Sequence, residues 1–144
     1  MAQPPVQLEE SYYDVVSLEA SPDYVPDPQA QPVGPTEHEA QVKLELATVD
    51  ADPGVWRVSL DIRHKEADGE TPRYRFRLRV VGFFRWSGGG ETPDAEVAQL
   101  VAVNGASILY SSAREFLLLL TSRMPWGQLS LPTLSFADVE PNER

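Results

Sequence analysis

Hydrophobic and polar residues alternate with a period of two in three stretches of the chain. "QVKLELATV" sets Val42, Leu44 and Leu46 to one side and Gln41, Lys43 and Glu45 to the other. "VWRVSLDIRHK" sets Trp56, Val58, Leu60 and Ile62 against Arg57, Ser59, Asp61 and Arg63. "PRYRFRLRV" sets Tyr74, Phe76, Leu78 and Val80 against Arg73, Arg75, Arg77 and Arg79, and the pattern runs on to about Trp86. A period of two is that of a β-strand. One-sided alternation is that of antiparallel strands with one face packed and the other solvated. "DPG" at Asp52–Gly54 and "EADGETP" are turn signals between these strands, so the three form a meander. "YYDVVSLEA", Tyr12 to Ala20, predicts a further strand ahead of them, and the first ten residues read as frayed.

The segment Ser21–Ala40 carries five prolines. Proline fixes φ and removes a backbone donor, which predicts a long loop. Twenty residues without regular structure in a compact domain are usually functional or disordered. After "SGGGETPD" the period changes. "AEVAQLVAV" admits a helical turn or two, and "NGASILYSSAREFLLLLTSRM" predicts the main helix. Asn104 or Ser107 would cap its start, Arg123 suits its last turn, and Pro125 with Gly127 would stop it. Phe116 to Leu120 are five successive apolar residues, which at ~100° per residue occupy every side of a helix. A sheet buries one side. The C-terminal segment or the same helix of a second subunit must bury the other, and isologous pairing is the commoner solution. Phe116, Leu117 and Leu120 are the candidate oligomer residues.

The predicted fold class is α+β: a four-stranded antiparallel sheet with one main helix packed on one face and a long proline-rich crossover loop after strand one. Residues 1–11 are expected to be a disordered lead, 12–136 a single domain, and 137–144 a short flexible tail.

Charge and composition narrow the function. The formal net charge is −10, which argues against nonspecific binding of nucleic acid by the whole molecule. With no cysteine there are neither disulfides nor thiolate metal sites. The N-terminus has no basic n-region and no apolar core, so a cytoplasmic protein that does not insert into membranes is expected. His38 and His64 are not grouped with carboxylates at a metal-ligand spacing, no G-x-S-x-G elbow occurs, and "SGGGETPD" lacks the ending of a phosphate loop. Neither an enzyme nor a cofactor or metal is expected. Against this acidic background the arginine stripe is an exception. Joined by Lys43, Arg57 and Arg63 it gives seven positive positions on one face, opposed by Glu19, Glu45 and Asp61. Cross-strand pairing accounts for part of the stripe, at a few tenths of a kcal/mol per pair, roughly. The remaining positive potential marks Arg73, Arg75, Arg77 and Arg79 as a candidate basic partner face.

The tract "ILYSSAREFLLLLTSRMPWGQLSLPTLSF", Ile108 to Phe136, resembles the SecB family of protein-export chaperones. That family opens its main helix with I-L-(F/Y)-P-Y-A-R-E and follows it with an S-R break and an L-x-L-x-P-(V/I)-x-F strand. Ile108, Leu109, Tyr110, Ala113, Arg114, Glu115, Ser122, Arg123, Leu129, Leu131 and Phe136 fall in register. "VVSLEASP", "AQVKLEL" and "VVGFFRW" resemble the family's strands, so the resemblance spans about Tyr12 to Phe136. It implies the same sheet-and-helix fold, assembly into homodimers or homotetramers with helices at the centre, and an ATP-independent holdase that keeps unfolded polypeptides in apolar grooves. On it, Tyr24 and Val25 in the loop, Trp56, and Met124 with Trp126 after the helix are the candidate client contacts.

Three departures follow. Ser111 and Ser112 stand where the family has Pro-Tyr. The family continues past the last strand into a second helix and a tail that engages the motor SecA, whereas this sequence ends eight residues after Phe136. The sheet face that is acidic in the family, where it meets SecA, is basic here. These departures predict a SecB-like chaperone dedicated to a specific client, such as an antitoxin, that does not use the SecA contact. The alternative is a non-chaperone interaction module whose basic face binds an acidic protein or nucleic acid.

Overall fold

The computed structural model describes residues 4–26, 36–37, 40–66, 69–90, 92–137 and 142–143. In chain order the elements are β1 (Val6–Ala20), β2 (Thr36–Glu37), β3 (Ala40–Thr48), β4 (Val55–His64), β5 (Tyr74–Trp86), α1 (Asp94–Thr121), β6 (Leu129–Ser130) and β7 (Asn142–Glu143). The four long strands form an antiparallel sheet in the order β1-β5-β4-β3, with α1 on one face, which is the expected α+β arrangement. The two residues of β7 add a short parallel strand at the β3 edge. Leu44, Leu46, Val58, Leu60, Ile62, Phe76, Leu78 and Val80 are all buried on the helix side, as the alternation requires.

The first strand is longer than expected. Pairing with β5 begins at Val6↔Trp86, and Ser87 N–H donates to the Pro5 carbonyl at 2.8 Å, so the strand begins six residues before Tyr12. Its register slips between Leu8 and Glu10 and again between Tyr13 and Val15. Each β-bulge adds one residue and shifts the alternation, which is why no period of two is readable before Tyr12.

The helix is also longer than expected, beginning at Asp94 instead of near Asn104. Pro93 occupies the N-cap without a side-chain cap, and Asp94 and Glu96 complement the positive end of the helix dipole. Asn104 and Ser107 are interior residues whose side chains donate to the carbonyls of Leu100 and Val103, both at 2.8 Å. Gly105 sits where α1 crosses the sheet. A Cβ there would lie 3.1 Å from both Phe84 and Val58, so the absent side chain lets the helix approach β4 and β5. The helix ends at Thr121, before Arg123. The buried Thr121 hydroxyl donates to the Leu117 carbonyl at 2.6 Å and accepts from Leu129 N–H at 2.9 Å, tying the helix end to β6.

Among the described residues no helix is long and apolar enough to cross a membrane.

Candidate functional site

At the end of the sheet where β5 begins, the chain leaving α1 meets the start of the proline-rich loop. The Tyr74 hydroxyl, inside the core, donates to the Gly127 carbonyl at 2.7 Å and accepts from Trp126 N–H at 3.0 Å. Burial raises the Tyr74 pKa above the ordinary phenol value, which keeps that donor protonated. Arg73 Nη1 donates to the Trp126 carbonyl at 2.9 Å. Gly127 takes φ +83°, a conformation that only glycine adopts freely, and this turns the chain toward β6. The Trp126 backbone is therefore clamped on both sides. Its indole N–H donates to the Ser21 carbonyl at 3.1 Å, and Tyr24 packs on it edge-on, with centroids 5.3 Å apart at 60°. Met124 and Trp126 are half-buried against the core, and Val25 is 83 % exposed beside Tyr24. The far end of the loop returns to the same place, because Thr36–Glu37 pairs with Leu129–Ser130. Both ends of the loop are thus anchored on the segment that follows α1. Residues 27–35 and 38–39, with His38 among them, lie outside the described residues.

Of the five candidate client contacts, four gather here: Tyr24, Val25, Met124 and Trp126. Trp56 does not. It pairs with Phe84 on β5, ten residues beyond Tyr74, which is roughly 33 Å away at ~3.3 Å per residue. There it is half-buried against the core.

The helix has three working faces. Its sheet side, including Ala102, Gly105, Ala106, Leu109 and Ala113, is buried. One flank, along Tyr110, Arg114, Leu117 and Thr121, is covered by the C-terminal segment. There Arg114 Nε donates to the Leu131 carbonyl at 3.1 Å, Tyr110 donates to that of Pro132 at 2.5 Å, and Leu129, Leu131 and Phe136 are buried. The other flank, along Ile108, Ser112, Phe116 and Leu119, lies roughly 170° around at ~100° per residue. It meets β1 through Tyr13, which hydrogen bonds to Ser112 Oγ at 2.8 Å and packs on Phe116 at 4.7 Å. Ile108 (41 %) and Leu119 (66 %) remain exposed on it, as do Leu8 and Val16 on β1. The C-terminal segment therefore covers one side and leaves the opposite flank open. Leu117, expected among the oligomer residues, is fully buried within the chain, while Phe116 and Leu120 are half-buried. Leu119, not among the expected oligomer residues, is the exposed member.

On the opposite face of the sheet the arginines point to solvent as expected, but their partners are more numerous than the alternation implied. Arg77 Nε and Nη2 donate to the two Asp61 oxygens at 3.1 and 2.8 Å, and Arg63 Nε and Nη2 reach the same pair at 3.2 and 3.4 Å. The bonds from Arg77, seconded by those from Arg63, hold the Asp61 pKa down at about 2 against the opposing effect of burial. Arg79 bonds to Asp14, and Arg75 to Asp23 at 3.3 Å. Arg85 bonds to Glu9 at 2.8 Å and to Asp52 at 2.6 Å. Arg73 turns away from this face to the Trp126 carbonyl. Asp14 and Glu9 are the two bulge residues, so a strict alternation could not assign them to the arginine side. A depression of about 480 Å³ lies between β3, β4 and β5 on this face, lined in part by Lys43, Glu45, Ser59, Asp61, Arg63, Arg77 and Arg79. Lys43 lies 3.7 Å from Glu45 there.

No known family profile matches the sequence, and no curated protein matches it. Comparison with solved structures finds the Mycobacterium tuberculosis SecB-like chaperone Rv1957, solved in complex with a ChAD peptide from the antitoxin HigA1 (Rv1956). The TM-score is 0.63 at 18 % identity, covering 91 % of each chain. A protein of unknown function from Streptococcus agalactiae aligns with a TM-score of 0.49 at 14 % identity, covering 92 % of this chain and all of that one. The first alignment establishes the fold: this chain has a SecB-like fold.

Proposed function

We propose that this SecB-like domain is an ATP-independent chaperone that holds unfolded or aggregation-prone polypeptides and works as a homo-oligomer. The observation that carries the reading is the platform of Trp126, Tyr24 and Met124, with exposed Val25 beside it, at the two anchored ends of the proline-rich loop. Burying apolar client side chains there yields about 25 cal/mol per Å² whatever their order, so one surface accepts many sequences. Clamping the Trp126 backbone lowers the entropy lost when a client docks. The platform supplies area and no reacting group, so the reading includes no catalytic step and no cofactor.

A protein of similar fold was solved with an antitoxin peptide. That supports a dedicated client of the same kind, an aggregation-prone antitoxin, over general delivery to SecA. The open flank of α1 and β1 is where we place the contact with a second copy.

The test is an aggregation assay, in which a chemically unfolded protein is diluted into buffer with and without this chain. Suppression near stoichiometric ratios that persists at high salt is expected. A Tyr24→Ala/Trp126→Ala variant should lose most of it, whereas Trp56→Phe should keep it. Absence of suppression by the wild-type chain would overturn the reading.

A further inference from the structure

We infer that the depression on the outer sheet face is a docking site for a short, extended, acidic segment of a partner polypeptide, gripped by Lys43, Arg63, Arg77 and Arg79. This inference is independent of the chaperone reading, because the site lies on the face of the sheet opposite α1 and Trp126.

The charge of the depression is opposite to that of the molecule. The depression is lined by those four cations and two carboxylates, Glu45 and Asp61, in a molecule whose formal net charge is −10. With Asp14 bonded to Arg79 from β1, the cations still outnumber the acids by one. Complementarity of that kind sets the choice of partner and the rate of encounter. The cations are also preorganised. Arg63 and Arg77 stand directly opposite each other across β4 and β5, an arrangement unfavourable for like charges. Asp61 holds both by Nε and Nη2 and leaves Nη1 of each without a partner among the described residues. Two guanidinium groups are thus fixed with donors to spare, and a guanidinium fork matches a carboxylate in shape.

The spacing of the cations suits an extended peptide. Arg77 and Arg79 are two residues apart on β5 and line the same depression. Side chains two apart on an extended peptide recur at roughly 7 Å, so acidic residues at alternate positions of such a peptide match them. A nucleic acid fits less well. The lining offers no aromatic ring on which a base could stack, and the molecule as a whole repels a long polyanion.

The probe is a fluorescein-labelled peptide of alternating glutamate and serine, titrated with the full chain by fluorescence anisotropy. Its glutamine–serine counterpart and an oligothymidylate are run beside it. The glutamate peptide should bind at low salt, weaken several-fold at about 0.3 M salt, and exceed both controls. Arg63→Gln/Arg77→Gln and Lys43→Gln/Arg79→Gln should each weaken it roughly tenfold. Circular dichroism should confirm that each variant is folded, and suppression of client aggregation should be unchanged in both. The second variant leaves the Asp61 bonds in place and decides the matter if the first fails to fold. Equal binding of the glutamate and glutamine peptides, equal binding by the folded variants, or tighter binding of the oligothymidylate would each overturn the inference.

Discussion

At Asp61 a single carboxylate holds two arginines that face each other across β4 and β5. Asp61→Asn removes the charge that reconciles them and should cost about 1–3 kcal/mol at neutral pH, read by urea unfolding. The folded-state pKa of about 2 lies below the ordinary 3.8. The carboxylate therefore contributes fully above about pH 4, and that contribution is lost as pH falls toward 2. The difference in stability between wild type and Asp61→Asn should shrink over that interval and hold steady between pH 5 and 7. Ser21 is the reverse case. Its Oγ is buried with no hydrogen-bond partner among the described residues, although its backbone is bonded to Arg73 and Trp126. Ser21→Ala removes only the orphaned hydroxyl and should raise stability by about 0.5–1 kcal/mol. A loss of stability would mean that the hydroxyl has a partner. Neither Asp61's dual role nor Ser21's isolation is legible in the sequence, because each depends on what another strand or loop brings alongside.

The elements differ in how far their own sequence reveals them. For β3, β4 and β5, alternation and solvent exposure agree along most of each strand, since none carries a bulge; the exception is the cross-strand pair Ser59 and Val81, buried on the arginine side. On β1 the bulges break the pattern, and the edge position leaves Leu8, Tyr12 and Val16 exposed. For α1 the helix motif located the C-terminal half. The N-terminal half was obscured by Asn104 and Gly105, which disfavour a helix when considered alone. Packing reverses that preference at Gly105, where the sheet comes too close for a larger side chain. Gly105→Val should therefore overpack the contact with Phe84 and Val58 and cost about 1–3 kcal/mol beyond any change in helix propensity. Thermal unfolding of this variant beside Asn104→Ala, which changes helix propensity and one exposed side-chain bond to the Leu100 carbonyl but no packing against the sheet, separates the two effects.

On the scale of the whole molecule the two sheet faces have different surfaces. The helix side carries the aromatic platform and an open apolar flank, and the far side carries paired charges around a shallow basic depression. If the flank is the oligomer contact, Ile108→Glu/Leu119→Glu should leave the fold intact and halve the mass found by light scattering. Both residues are exposed in the single chain, so the substitution costs the monomer little. An unchanged mass would exclude this flank as the contact. Salt should distinguish the two faces, because apolar burial persists at high ionic strength whereas exposed ion pairs are screened beyond about 10 Å at 0.1 M.

By itself the sequence determined the alternating strands, the arginine face, the turn at Asp52–Gly54 and the helix ending near Pro125, since each follows from periodicity or backbone chemistry within a few residues. The helix motif, through its resemblance to a known family, also pointed to the SecB-like fold. Tertiary structure alone decided which carboxylates meet which arginines, because the bulges at Glu9 and Asp14 count residues against a partner strand. It alone joined Trp126 to Tyr24 and separated both from Trp56, through contacts more than fifty residues apart in the chain. It alone determined that Leu117 is core while Leu119 is surface. Five successive apolar residues are alike in sequence, and the C-terminal segment covers one flank of the helix and leaves the other open.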